Sequence, residues 1–366
     1  NDPCCTSMEP AIRCDRRQLL LLAAAGLSLG AGAGWRTQAG SLPRLNPGSG
    51  GAPPGDSLRA SSSDLLRIGL ISDLNSSYGS THYIPQVGQG VQQLLKQQPA
   101  LLVCAGDMVA GQKRGLSSSR LDARWDGFAR TVLQPIRQAG VPFLMAVGNH
   151  DGAPGFSADR AAARRFWEPR RAALGLHFVD RADFPFHYSV LQNDVFWLVW
   201  DASSSNVPAE QLQWARRQLS SNAARTARMR RVVGHLPLFG ISQGRDRPGE
   251  RLHQATAIQA LLEGGNVQAY ISGHQHAWYP GRLGQLDLIQ LGALGSGPRS
   301  LLQGNIPRQQ TYTCLDINWR SGALRETTYA VATQQAVRWN DLPAVLNSQR
   351  GRLQRNRQTR QILAPV

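Results

Sequence analysis

Four apolar runs in this chain stop at a glycine followed by a polar group able to hold a cation. They end in Gly106-Asp107, Gly148-Asn149-His150-Asp151, Gly234-His235 and Gly273-His274-Gln275-His276. A fifth run, Leu66 to Ser72, stops directly at Asp73-Leu74-Asn75. Apolar runs this short, bounded by turn residues, read as buried strands, so each polar group closes a strand at its carboxyl end. Glycine lets the backbone turn sharply and present the next side chain.

Helical spacing fills the intervals. Ile84 to Gln98, Leu121 to Gln138, Asp159 to Leu174, Pro208 to Ala224 and Gln254 to Leu262 read as helices. Leu101 to Ala105, Phe143 to Val147, Arg231 to Val233 and Val267 to Ser272 read as strands leading into the motifs. Phe186 to Leu191 and Val195 to Trp200 flank Gln192-Asn193-Asp194 as a hairpin. Leu286 to Leu291, Tyr312 to Trp319 and Leu324 to Val331 read as further strands. This alternation predicts a mixed α/β core with candidate ligands at the carboxyl ends of strands.

Together the motifs supply three carboxylates, two asparagine amides and four imidazoles. That inventory suits two divalent cations bound through oxygen and nitrogen, with no thiolate. Each motif alone has a plainer reading, since an aspartate after a strand more often caps a turn. The ordered set carries the inference.

That order resembles the calcineurin-like metallophosphoesterase superfamily, whose pattern runs Asp-x-His, Gly-Asp, Gly-Asn-His-Asp/Glu, a lone His, then Gly-His-x-His. Four of the five blocks match, over roughly Ile68 to Ala330. The resemblance implies a four-layer αββα sandwich of two mixed sheets flanked by helices. It implies two metal ions, Mn, Fe or Zn, and hydrolysis of small phosphomonoesters or, alternatively, of phosphodiesters such as nucleotides or glycerophosphodiesters. Asp73, the residue at 75, Asp107 and His276 would take one metal. Asp107, Asn149, His235 and His274 would take the other, with Asp107 bridging. His150 would serve the leaving group, oriented by Asp151. Asn75 departs from the pattern, and an amide oxygen there would hold metal less tightly than imidazole. Purple acid phosphatases also lack that histidine and place a Tyr three residues after the bridging Asp, where this chain has Ala110. Tyr78 is a candidate substitute ligand.

Length and 42% hydrophobic content suit a large globular core. The net charge of +16 comes almost wholly from arginine, Lys96 and Lys113 being the only lysines, and a basic body around a metal site would steer anions inward. Residues 1–40 read as an export signal: Arg16-Arg17-Gln18-Leu19-Leu20 precedes an apolar run to about Gly34, a pattern similar to twin-arginine (Tat) signals. Met8 offers a start, and Ala31-Gly32-Ala33 or Thr37-Gln38-Ala39 a cleavage site. The expected setting is a bacterial periplasm or the medium, reached through the Tat machinery. Residues 41–63 read as a Gly/Pro/Ser linker, 64–335 as the catalytic domain, and 336–366 as a basic helical tail suited to anionic lipid or nucleic acid. Cys104 and Cys314 lie in apolar runs and read as buried free thiols.

Overall fold

A computed structural model describes residues 64–362, and these build two β-sheets. The six-stranded sheet runs, in spatial order, Thr359–Gln361, Ala323–Ala330, Thr311–Asn318, Leu65–Ile71, Leu101–Cys104, Phe143–Met145. The nine-stranded sheet runs Val345–Ser348, Gly351–Arg355, Tyr279–Leu283, Leu286–Gln290, Ala269–Ser272, Met229–Val233, Val195–Val199, His187–Gln192, Phe178–Asp183. Both sheets are mixed. Leu65–Ile71, Leu101–Cys104 and Phe143–Met145 are mutually parallel, as are Val195–Val199, Met229–Val233 and Ala269–Ser272.

The strand Val195–Val199 shows how the layers arise. Side chains alternate across a strand. Val195, Trp197 and Val199 join the apolar cluster that contains the six-stranded sheet, while Phe196 and Leu198 join a second cluster. The first cluster takes in Val87, Val91 and Leu94 of helix Pro85–Lys96 and Trp125 and Phe128 of helix Ser118–Phe128. The second takes in Trp214 and Leu219 of helix Ala209–Leu219 and Ile258 and Leu262 of helix Ala255–Gly264. A strand apolar on both faces can only be satisfied between two layers, and the expected four-layer αββα arrangement follows.

The expected hairpin forms between His187–Gln192 and Val195–Val199, its two central residues Asn193 and Asp194 both at positive φ (54° and 58°). That pair of left-handed residues is the two-residue turn whose twist matches an antiparallel ribbon. Cys104 and Cys314 are buried free thiols, as expected.

Two strands escaped the sequence reading. Phe178–Asp183 carries a mostly exposed edge pattern, and Tyr279–Leu283 contains Pro280 and Gly281, both poor strand signals. The larger correction concerns the C-terminus. Residues 342–361 form no helix; Val345–Ser348 and Gly351–Arg355 extend the nine-stranded sheet, and Thr359–Gln361 closes the edge of the six-stranded one. The two sheets therefore reach past 335, and 336–361 is part of the domain body. Helical propensity lost to tertiary contacts. Leu346 and Leu353 face each other across the ribbon and are fully buried. Arg350 and Arg355 spend their guanidinium groups on main-chain carbonyls of Leu238, and of Trp339 and Leu342. Arg360 enters the interior and binds Asp287 of one sheet (2.7 Å) and Glu326 of the other (3.0 Å). The expected signal and linker, residues 1–63, lie outside the described residues.

Candidate metal centre

The motifs meet because the parallel strands of both sheets end at one edge. The strands ending at Ile71, Cys104 and Met145 deliver Asp73, Asp107 and Asn149; those ending at Val233 and Ser272 deliver His235, His274 and His276. Main-chain bonds lace the edge: Asp73 N–H donates to Gly106 O (3.0 Å), Gly273 N–H to His235 O (3.1 Å), Leu294 N–H to Ser72 O (3.0 Å) and Gly295 N–H to Asp73 O (2.7 Å). Asp73, Asp107, His274 and His276 all adopt positive φ, between 53° and 68°. Four such residues in one site is stored backbone strain, which persists only where surroundings over-determine it. Gly148 is required by proximity, since a Cβ there would lie 2.2 Å from Asp107 N and from its Oδ1.

The three candidate ligand imidazoles share one logic. His235 holds Ala105 O through Nδ1 (2.7 Å), and its Nε2 is directed 3.2 Å from Asp107 Oδ2 and 3.9 Å from Asp73 Oδ1. His276 holds Gly297 O through Nδ1 (2.9 Å) and turns Nε2 to within 3.2 Å of Asp73 Oδ1. His274 holds Glu250 Oε2 through Nε2 (2.8 Å) and turns Nδ1 to Asn149 Oδ1 (3.0 Å). In each case one nitrogen donates to protein oxygen, so the neutral ring's other nitrogen is a lone pair facing another acceptor. His235 Nε2 is fully buried and finds no hydrogen-bond partner. Facing acceptors repel unless a cation lies between them, so the residues fit metal ions. The oxygen held by each spare N–H fixes the ligating tautomer.

Ligand atoms group twice within 4.8 Å: Asp107, His235 and His274 form one set, and Asp73, Asp107 and His276 the other. Asp107 belongs to both. Its Oδ1 also accepts the His150 N–H (2.8 Å), and both oxygens of Asp73 accept the His274 N–H (3.1 and 3.0 Å). Asn149 Nδ2 donates to Gln112 Oε1 (3.0 Å), which aims Oδ1 at His274.

Without a cation the same crowding is answered by protons. Burial alone would raise the Asp107 carboxyl, but the charges of His235 and His150 outweigh it and hold it far below the usual range. Burial lowers His235, yet Asp107 and then Asp73 push it up to about 9. Burial, opposed by Glu250 and reinforced by the charge of His235, takes His274 down to about 4, which leaves its ring neutral and free to ligate. The His274 hydrogen bond holds Glu250 down at about 2.

His150 is buried, with Nδ1 3.2 Å from Gly111 O and Nε2 4.0 Å from Asp107 Oδ2, under the exposed ring of Tyr78 at 4.8 Å between centroids. Asp151 corrects the sequence reading. Its carboxylate does not orient the His150 ring; it accepts main-chain N–H groups of Met108 (2.8 Å), Val109 (2.9 Å) and Gly148 (2.8 Å) and so ties two motif loops together. Burial and the Asp107 charge push Asp151 up to about 7 against those three donors, and a cation on Asp107 would remove the second cause. Asn75 joins the site through its backbone, its N–H on Asp107 O (3.2 Å) and its O on Ser296, while its side-chain amide makes no hydrogen bond among the described residues.

The sequence reading gave no role to Gln112 and Glu250, which sit in no motif, or to Gln275, and all three touch candidate ligands or their loops. Gln275 fills the variable place of Gly-His-x-His. Its fully buried amide accepts from Ile241 N, Ser242 N and Ser242 Oγ and donates to Arg245 O and Glu250 O. That pins the 241–250 loop over His274. A polar residue between two candidate ligands was its sole sequence signal.

The sequence profile of calcineurin-like phosphoesterases matches residues 66–278, more than half the chain and every ligand just described. The chain belongs to the calcineurin-like phosphoesterase family. Among solved structures it is similar to a purple acid phosphatase from yellow lupin seeds, at 15% identity and TM-score 0.56, over 75% of this chain and 53% of that one. It is also similar to GAP50, the anchor in the inner membrane complex of Plasmodium, at 13% identity and TM-score 0.49, over 75% and 87% of the two chains. It thus spans about half the length of the lupin enzyme, and at such identity the likeness speaks for the fold alone. No curated protein matches it in sequence. The family is one of metal-dependent phosphoester hydrolases.

Proposed function

We propose that this calcineurin-like phosphoesterase is a dinuclear phosphatase acting on small phosphomonoesters. The observation that carries the reading is Asp107, whose carboxylate belongs to both ligand sets. A carboxylate placed so can hold two cations about 3.5–4 Å apart. Asp73, Asp107 and His276 would hold one, and Asp107, Asn149, His235 and His274 the other. When bound, such a pair activates water near neutral pH and neutralises charge on a phosphoryl group.

The chain's own groups do the rest. Asn149, aimed by Gln112, and His274, aimed by Glu250, keep their donor atoms fixed, so little reorganisation accompanies binding. His150, with one ring nitrogen near Gly111 O, has Nε2 directed toward the ligand cluster and supplies a proton to the departing alkoxide. The basic body draws anions to the site. Export rests on the Arg16-Arg17 pattern, and a folded, metal-loaded cargo suits that route.

Elemental analysis and an aryl phosphomonoester assay test the reading together. Two metals per chain and turnover with Mn or Fe are expected. Folded protein that binds fewer than two, and is inert with every metal, would leave a phosphate-binding scaffold as the better account.

A further inference from the structure

Beside the metal centre the charges do not balance. Arg245 binds the main-chain carbonyl of His274 and approaches its Nδ1 (3.3 Å). The nearby carboxylate, Glu250, is engaged on both oxygens, Oε1 by Arg247 (3.0 Å) and Oε2 by His274 (2.8 Å), and reaches Arg245 only at 3.9 Å. Asp246, in the same loop, is taken by Arg251 and by the Gln349 N–H. Arg299 has no carboxylate partner among the described residues. Its Nε is sealed from solvent without a hydrogen-bond partner, and NH1 makes one long bond to Gln243 O (3.4 Å). Burial, then the charge of Arg245, pushes the Arg299 guanidinium below its ordinary value. Arg299 meets the 243–245 loop and Arg245 is part of it, and like charges held on one loop are costly unless an anion joins them.

The position of Arg299 says what that anion is attached to. Its N–H donates to His276 O (2.9 Å), and its side chain lines a recess of about 30 Å³ with His276, Trp278 and Leu301. The recess shares Ile306, Pro307, Gln309 and Val337 with a groove of about 640 Å³. Arg299 therefore shares with His276 a recess whose walls continue into a cavity of substrate size.

We propose that Arg299, seconded by Arg245, binds a second anionic group on the substrate's leaving alcohol, so that the preferred phosphoesters carry a carboxylate or further phosphate on that side. The inference rests on the phosphoesterase reading but is tested apart from turnover. Calorimetry on the metal-loaded protein compares phenylphosphonate with its ortho-, meta- and para-carboxy derivatives, which bind without being cleaved. At least one isomer should bind about tenfold more tightly than the parent, the size of one charge-assisted contact. Arg299→Gln should bring that ratio to within twofold, and Arg299→Lys should restore part of it. All isomers within twofold of the parent on the native protein, or a preference that survives Arg299→Gln, would overturn the proposal. Hydrolysis of phenyl phosphate, measured in parallel, reports on the phosphatase reading alone.

Discussion

Two buried clusters of charge lie in this molecule, and they are solved in opposite ways. Between the sheets, Arg360 meets Asp287 and Glu326, Arg282 and Asn356 cover the other oxygen of Asp287, and the Trp278 N–H covers that of Glu326. Every carboxylate oxygen there has a donor from the chain. At the strand edge, Asp73, Asp107, Asn149 and three imidazoles confront one another acceptor to acceptor, and His235 Nε2 has no partner at all. The carboxylates of the first cluster are answered by donors of the protein; the second calls for cations. Burial makes a charge expensive in both places, so the missing complement marks the site built to bind.

The sharpest way to break this comparison is to neutralise the shared ligand. Asp107→Asn should lower kcat/KM by a factor of about 10³ or more through loss of the bridging charge. The same change should also lower the stability of the metal-free protein, because it takes away the carboxylate that offsets the buried charge of His235 and accepts the His150 N–H. Thermal melting of the metal-free form and metal content check both halves. Arg360→Met should act on stability alone, costing about 3–5 kcal/mol by stranding Asp287 and Glu326, with bound-metal stoichiometry retained in the folded fraction. Denaturant melts read it, and replacing the whole cluster by apolar residues should recover much of the loss.

Chelation belongs to the same series. Stripping metal should lower the melting temperature of the native chain, and affinity should fall as acid protonates the imidazole ligands. Glu250→Gln sharpens the picture, because it removes the charge that holds the His274 Nε2–H: metal affinity should fall about 10–100-fold with the fold intact. The smallest effect is expected of Asp151→Asn. Turning one acceptor into a donor against main-chain N–H groups should cost about 1–3 kcal/mol in denaturant melts, with kcat changed far less than by His150→Ala. A loss of kcat as large as that of His150→Ala, with the fold intact, would return Asp151 to the catalytic role first expected of it.

The sequence showed most of the ligand set because strand ends are local. A short apolar run that stops at Gly-Asp or Gly-His declares both the strand and the group it presents, and Asp107, Asn149, His235, His274 and His276 were legible on that ground. Asp151 was misread because its motif fixes where it sits, while its carboxylate follows the nearest main-chain donors, which come from residues 108 and 109. The C-terminal strands were misread because exposed arginine in a helix-forming composition is ambiguous until its partners are known. Leu353 needs Leu346, and Arg360 needs two acids at 287 and 326, before a strand is preferred.

By itself, then, the chain determined which atoms are offered to metal and that they arrive at strand ends, since periodicity and glycine placement act over a few residues. Tertiary structure alone decided which nitrogen of each histidine faces the centre, that Glu250, Gln112 and Gln275 hold the ligands, and that Arg299 stands uncompensated beside them. Those are relations between groups tens to hundreds of residues apart, and they exist only once desolvation forces each buried polar atom to find a partner or to want one.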